Sequence, residues 1–138
     1  MQVTICDIEF NIDYKYMGKR KPSNFHDNTP HNYYRIFLKR GKSLITFEFY
    51  DSILNTESGI KTLSNDGLLD AFNCFLMDCI AFSNNDSLAN FMHEFDYNNM
   101  EEAKHAYEGC CNSYFNCMEI MTKQEMYDVN SYLCEKGH

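Results

Sequence analysis

The hydrophobic residues of this chain change their spacing once, near the middle. Between residues 3 and 16, and again between residues 32 and 50, they alternate with polar residues. From residue 68 onward they recur at intervals of three and four. Because a period of two is typical of strands and a period near 3.6 is typical of helices, the sequence predicts a sheet followed by helices. The first run of the alternation places six residues on one parity, namely Cys6, Ile8, Phe10, Ile12, Tyr14 and Tyr16.

The alternating half predicts three strands, near residues 3–16, 32–39 and 43–50. Between the first two, the segment from Met17 to His31 is polar and contains both prolines, which predicts a long loop. A basic turn at residues 39–42 joins two alternating runs and predicts a hairpin. We therefore expect an antiparallel meander that needs a cover on one face.

The second half predicts about four helices after a polar connection at residues 55–65. The first runs through Leu68 to Ile80, and a shorter one is opened by Asp86. A third begins after Asn99, and a capping box at residues 122–125 opens the last. The third helix carries an apolar stripe of Ala103, Tyr107, Cys110, Tyr114, Cys117 and Met121. The expected fold is α+β in one domain, 1–138, with the sheet in 1–54 and the helices of 64–138 packed on one face.

Charge is distributed unevenly over these two halves. The net charge is −8, yet residues 1–63 hold nine Lys and Arg against seven Asp and Glu, whereas residues 64–138 hold three against thirteen. An acidic field repels phosphate groups and favours basic partners. The helical half is therefore expected to associate with a basic surface.

The sequence predicts neither an enzyme nor a metal or cofactor site. Seven Cys and five His are present without a CxxC pair. Cys110 and Cys117 share the apolar stripe of the third helix, whereas His105 points to its opposite side. No nucleophile motif or glycine-rich phosphate motif is present. With no secretion signal and no apolar run of about 18 residues, we expect a soluble cytoplasmic protein with reduced thiols and no membrane association.

A candidate partner-binding surface lies on the acidic helices. On the third helix Glu101, Glu108 and Glu119 fall within about 20° of one another, opposite the apolar stripe. Phe115 lies beside them, and an exposed aromatic residue next to carboxylates is typical of a protein interface. Asp66 and Asp70 form a similar outer edge on the first helix. These six residues are the predicted contact surface.

A second candidate surface is basic. Lys19, Arg20 and Lys21 lie in the predicted loop, and Arg40 and Lys42 lie in the predicted hairpin turn. Tyr33 and Tyr34 are close in sequence to the loop. Cationic side chains that hold phosphate, with aromatic rings that stack on bases, are typical of nucleic-acid binding.

Two phrases of the chain carry a resemblance to a known family. The first is Phe49-Tyr50-Asp51-Ser52-Ile53-Leu54-Asn55-Thr56, followed by Gly59. The second is Leu88-Ala89-Asn90-Phe91-Met92-His93-Glu94-Phe95-Asp96-Tyr97, followed by Ala103 and Tyr107. Together these phrases resemble a family of small proteins encoded by phages and other mobile elements of low-GC bacteria, in which Gly usually stands at the position of Asp96. The resemblance covers roughly residues 32–133.

This resemblance implies an accessory protein of a mobile element, a setting in which small acidic inhibitors of CRISPR-Cas defence are frequent. The leading expectation is therefore a non-enzymatic anti-CRISPR protein. It would bind a Cas effector, or its ribonucleoprotein, and block nucleic-acid access as a partial DNA mimic. The alternative is an accessory protein that binds nucleic acid directly through residues 19–21 and 39–42.

Overall fold

The computed structural model describes residues 1–21, 30–50 and 62–138, and within them the chain is α+β. In these ranges four strands, paired in the order of the chain, form one antiparallel sheet, and of the four helices the first, third and fourth share a buried apolar core with the sheet. Residues 22–29 of the predicted loop, residues 55–61 of the predicted connection, and the phrase from Asp51 to Thr56 with Gly59 lie outside the described residues. The elements are β1 (Gln2–Ile5), β2 (Ile8–Arg20), β3 (His31–Arg40), β4 (Ser43–Tyr50), α1 (Asn65–Ser83), α2 (Leu88–Glu94), α3 (Met100–Cys117) and α4 (Lys123–Glu135).

The predicted first strand is in fact a hairpin, so the expectation of three strands was wrong. Ile5 pairs with Ile8, and the two residues between them have positive φ, 52° at Cys6 and 64° at Asp7. Two such residues make the tight turn that matches the twist of a hairpin. Neither is Gly or Asn, so the turn carried no sequence signal. Cys6 is consequently an exposed turn residue and not part of the apolar face.

The alternation along β2 correctly predicted which side chains face the core. Phe10 and Ile12 are buried, whereas Asp13 and Lys15 are exposed. This face packs against α1, where the rings of Phe10 and Phe72 meet edge to face with their centres 5.3 Å apart. The sheet is thus attached to the helical layer through apolar side chains of both elements.

β2 continues into the segment that was predicted as loop. Its pairing with β3 shifts between Tyr16 and Lys19, around Gly18 at φ 93°, and resumes until Arg20 pairs with His31. A glycine at positive φ permits such a bulge at low cost. The basic residues 19 and 20 therefore lie at a strand end, not in a loop.

Two helix boundaries differ from the predictions, and one is confirmed. Ser87 caps α2 in place of Asp86, because the Ser87 side chain accepts a hydrogen bond from the Asn90 amide. The third helix ends at Cys117, and Ile120 and Met121 are buried in the turn that follows. The capping box that opens α4 at Thr122 is present as predicted.

An ion pair ties the end of the sheet to the start of α4. The guanidinium of Arg40 donates two hydrogen bonds of 2.9 Å to the carboxylate of Glu125 and a third, of 3.0 Å, to the carbonyl of Ile120. Glu125 also accepts from the Thr122 amide at 2.9 Å. The pair and the adjacent hydrogen bonds hold the pKa of Glu125 down at about 2.

Candidate partner-binding surface

The structure places three of the six predicted contact residues on one exposed ridge of α3. Glu101, Glu108 and Phe115 are seven residues apart and all exposed. We call these three residues the α3 ridge. Because α3 ends at Cys117, Glu119 lies in the turn after the helix; it is exposed, but it does not extend the ridge as a helical residue.

Phe115 is the apolar member of the ridge. Its ring lies 5.4 Å from the ring of Tyr114 and 5.9 Å from the ring of Phe82. The side chain nevertheless leaves 60% of its surface exposed. A large aromatic ring supported by neighbouring rings and open to solvent is typical of an interface anchor.

Asp66 and Asp70 lie on the first two turns of α1, away from the ridge positions of α3. Both line a cavity of about 1010 Å³ at the start of α1. Oδ1 of Asp70 is 2.6 Å from Nδ1 of His138, so a protonated His138 would neutralise its charge. The α3 ridge residues line no part of this cavity. The structure therefore separates the six predicted residues into a ridge, a turn residue and a cavity edge.

Next to that cavity lies a groove that the sequence did not predict. It has a volume of about 910 Å³ and is formed by α1, α2, α3 and the end of β4; we call it the α1–α3 groove. Its α3 wall includes Glu102 and Gly109, each one residue beyond a ridge glutamate and so about 100° around the helix. The ridge thus borders the groove.

Asp78 lines both the groove and the neighbouring cavity, as Glu48 also does. Its side chain is open to the groove, and it forms no hydrogen bond or ion pair within the parts of the chain that are described. Surrounding protein removes part of the hydration of the carboxylate and raises its pKa to about 6. Its only sequence signal was a carboxylate inside the apolar run from Phe75 to Phe82.

A buried asparagine fixes the end of the groove near α2. The Asn85 side-chain amide donates to the carbonyl of Ala81 at 2.8 Å and to the carboxylate of Glu94. The hydroxyl of Tyr107 donates to the Asn85 carbonyl at 3.3 Å. These bonds connect α1, α2 and α3, so the groove has a rigid end.

The predicted basic surface does not converge. Lys19 and Arg20 lie at the end of the sheet where Arg20 pairs with His31, whereas Arg40 lies at the opposite end of β3. Nine residues of extended strand separate those ends by about 30 Å. The guanidinium of Arg20 lies over the ring of Tyr33, 4.7 Å from its centre, and Arg40 is held by Glu125. Nucleic-acid binding through both clusters at one site is therefore not favoured.

The cysteines offer no ionised thiol near the groove. Cys79 is buried beside Cys117, and hydrogen bonding to Cys117 together with burial raises its pKa. Burial raises the pKa of Cys110, which lines the groove, to about 12. Thiols in this state are protonated at neutral pH and weakly nucleophilic. Within the described residues no three His, Cys, Asp or Glu side chains are grouped so that they could hold a metal ion.

Comparisons with protein-family models, curated proteins and solved structures found no match to this chain. In the described ranges, no helix combines the length and the apolar character that crossing a bilayer requires. The surface is therefore interpreted from its own geometry and charge.

Proposed function

We propose that this protein is a non-enzymatic inhibitor, encoded by a phage or mobile element, that binds a CRISPR-Cas effector and blocks the effector's access to nucleic acid. The observation that carries the proposal is the α3 ridge, where two exposed glutamates and an exposed phenylalanine share one face of a helix. The ridge belongs to the helical half of the chain, in which thirteen Asp and Glu stand against three Lys and Arg.

Charge complementarity supports this choice of partner. Cas effectors hold guide and target in strongly basic channels. A rigid acidic ridge of this kind gains association rate by electrostatic steering and places its carboxylates where phosphates would lie. The aromatic ring of Phe115 adds apolar contact area to such an interface.

The test is inhibition of target cleavage by a panel of purified Cas effector ribonucleoproteins. Changing Glu101→Lys and Glu108→Lys together is expected to weaken inhibition by about tenfold or more, because it replaces attraction by repulsion. The matched control is Glu9→Lys with Glu135→Lys, which makes the same change in net charge at exposed positions outside the ridge.

The control pair should leave inhibition within about threefold of the unchanged protein, since general charge acts mainly through screened long-range steering. Circular dichroism should show that both double variants fold. Equal losses of inhibition in the two double variants would mean that net charge alone matters. Full inhibition by the ridge variant would show that the ridge is not part of the interface.

A further inference from the structure

The α1–α3 groove combines an apolar lining with acidic groups. Aromatic and aliphatic side chains of α1 and α2 line it, and two of them are unusually exposed for large hydrophobic residues, Met77 at 51% and Phe95 at 45%. Carboxylates of four elements line the same space, those of Glu48, Asp78, Glu94 and Glu102. A free monomer gains nothing from exposing such side chains together, whereas a bound partner would cover them.

The four carboxylates differ in the hydrogen-bond and ion-pair partners that they already have. Glu48 is 3.9 Å from the guanidinium of Arg35, and Glu94 accepts from the side chain of Asn85. Asp78 has no such partner within the described residues. A partly desolvated carboxylate without a partner is the position in the groove where an incoming cation would gain most.

We propose that the α1–α3 groove binds a segment of the partner protein in which an arginine or lysine, flanked by apolar residues, pairs with Asp78. The apolar flanks of the segment would cover Met77 and Phe95, and its cation would lie among the carboxylates. The inference rests on the proposed function in requiring a basic protein partner, and it names the concave site beside the α3 ridge where that partner is anchored. Lysine and arginine side chains suit this site because their aliphatic stems lie along apolar surface while the charged end reaches a carboxylate.

Binding at this site should depend on pH, because a cation pairs with the ionised form of Asp78. The free carboxylate, with its pKa of about 6, is ionised at pH 7.5 and mostly protonated at pH 5. The affinity for a cationic segment should therefore fall by about tenfold between those values. The other titratable groups that line the groove or its neighbouring cavity are Glu48, Tyr50, Asp66, Asp70, Cys74, Glu94, Tyr97, Glu102, His105, Cys110 and His138.

Two of these groups are histidines, His105 and His138, and an imidazole is the side chain that ordinarily changes its charge between pH 5 and 8. A proton on either imidazole would also repel a cation, so the wild-type pH profile does not isolate Asp78. The profile of Asp78→Asn, which keeps the shape and removes the titration, supplies that separation.

The experiment uses a fluorescein-labelled 12-residue peptide of alternating Leu and Arg pairs, with a second peptide in which every Arg is replaced by Glu. Anisotropy titrations at pH 7.5 should show binding of the arginine peptide alone. Asp78→Asn should weaken it by tenfold or more and flatten the pH dependence. Asp128→Asn, an exposed carboxylate on α4 outside the groove, is the matched control and should bind as the unchanged protein does.

A second pair of variants tests the groove by filling it. A Cβ added at Gly109 meets no atom within 4 Å, and the position is exposed on α3. Both Gly109→Arg and Gly109→Ala should therefore fold, since either residue favours a helix more than glycine does. The arginine should occupy the groove and abolish peptide binding, whereas the alanine should leave binding intact.

The outcomes separate this inference from the proposed function. Equal weakening by Asp78→Asn and Asp128→Asn would show nonspecific attraction and overturn the groove. Peptide binding that survives Gly109→Arg would also overturn the groove inference. So would sedimentation that shows a dimer formed through the groove. If the peptide requires Asp78 while no Cas effector is inhibited, the groove stands and the proposed partner fails. If the ridge variants lose inhibition while Asp78→Asn and Gly109→Arg retain it, the proposed function stands and the groove inference fails.

Discussion

The ion pair between Arg40 and Glu125 should contribute measurably to stability, and its contribution should vanish in acid. In the folded protein the pKa of Glu125 is lowered from 4.5 to about 2, first by the hydrogen bonds from Arg40 and next by the Thr122 amide. If the whole shift were expressed as stability it would amount to about 3 kcal/mol. The two side chains are 37% and 26% exposed, so solvent screening reduces the expected coupling to about 1 to 2 kcal/mol.

The sign of the pH dependence follows from the lowered pKa. The unfolded chain protonates Glu125 near pH 4.5, whereas the folded chain keeps it ionised until about pH 2. The contribution is therefore fully present above pH 4.5 and is lost as the pH falls towards 2. The capping box at Thr122 is weakened over the same range, because a protonated Glu125 accepts less well from the Thr122 amide.

The assay is a double-mutant cycle with Arg40→Met, Glu125→Gln and the double variant, followed by urea unfolding at pH 7 and at pH 2.5. We expect a coupling free energy of about 1 to 2 kcal/mol at pH 7 that falls by more than half at pH 2.5. A coupling below about 0.3 kcal/mol at pH 7, or one that does not change with pH, would refute the reasoning.

Three further predictions concern packing and the helices. Phe10→Ala should destabilise the protein by about 3 to 5 kcal/mol in urea unfolding, because the side chain is 1% exposed and its removal leaves a cavity against Phe72. Gly109→Ala should raise the free energy of unfolding by about 0.5 to 1 kcal/mol, since the methyl group meets no neighbour and glycine weakens a helix. Tyr107→Phe should cost only about 1 kcal/mol in thermal unfolding, because it removes one hydroxyl, whose 3.3 Å bond to the Asn85 carbonyl is long.

The sequence predicted the parts of the fold that depend on local periodicity. The burial of Phe10 and Ile12 followed from alternation alone, because a sheet with one covered face must separate its apolar and polar residues. The start of α4 at Thr122 followed from a side-chain pattern that satisfies free amides at a helix terminus.

The errors arose where a tertiary contact or a backbone conformation left no local trace. The turn at Cys6 and Asp7 uses positive φ without glycine, so the alternation passed through it unnoticed. The end of α3 at Cys117 places Ile120 and Met121 in the core, and a continuing helix would have kept the apolar stripe equally regular. Neither choice is visible until the packing partner is known.

The candidate site likewise has a part that the sequence predicted and a part that it did not. Exposure of Glu101, Glu108 and Phe115 could be predicted because helical geometry places them opposite the apolar stripe, of which Ala103 and Cys117 are buried in α3. The α1–α3 groove could not, because it is formed by residues from α1, α2, α3 and β4 that are distant in sequence. A carboxylate such as Asp78 changes its pKa only when that surrounding protein is assembled.

Hydrogen exchange of this protein, alone and bound to a Cas effector ribonucleoprotein that it inhibits, tests the central claim most directly. Slowed exchange should appear in α3, around Glu101 and Glu108, and in the part of α1 near Asp78. The strand end at Lys19 and Arg20 should exchange as in the free protein. Protection confined to that basic strand end, with α3 unchanged, would contradict the account.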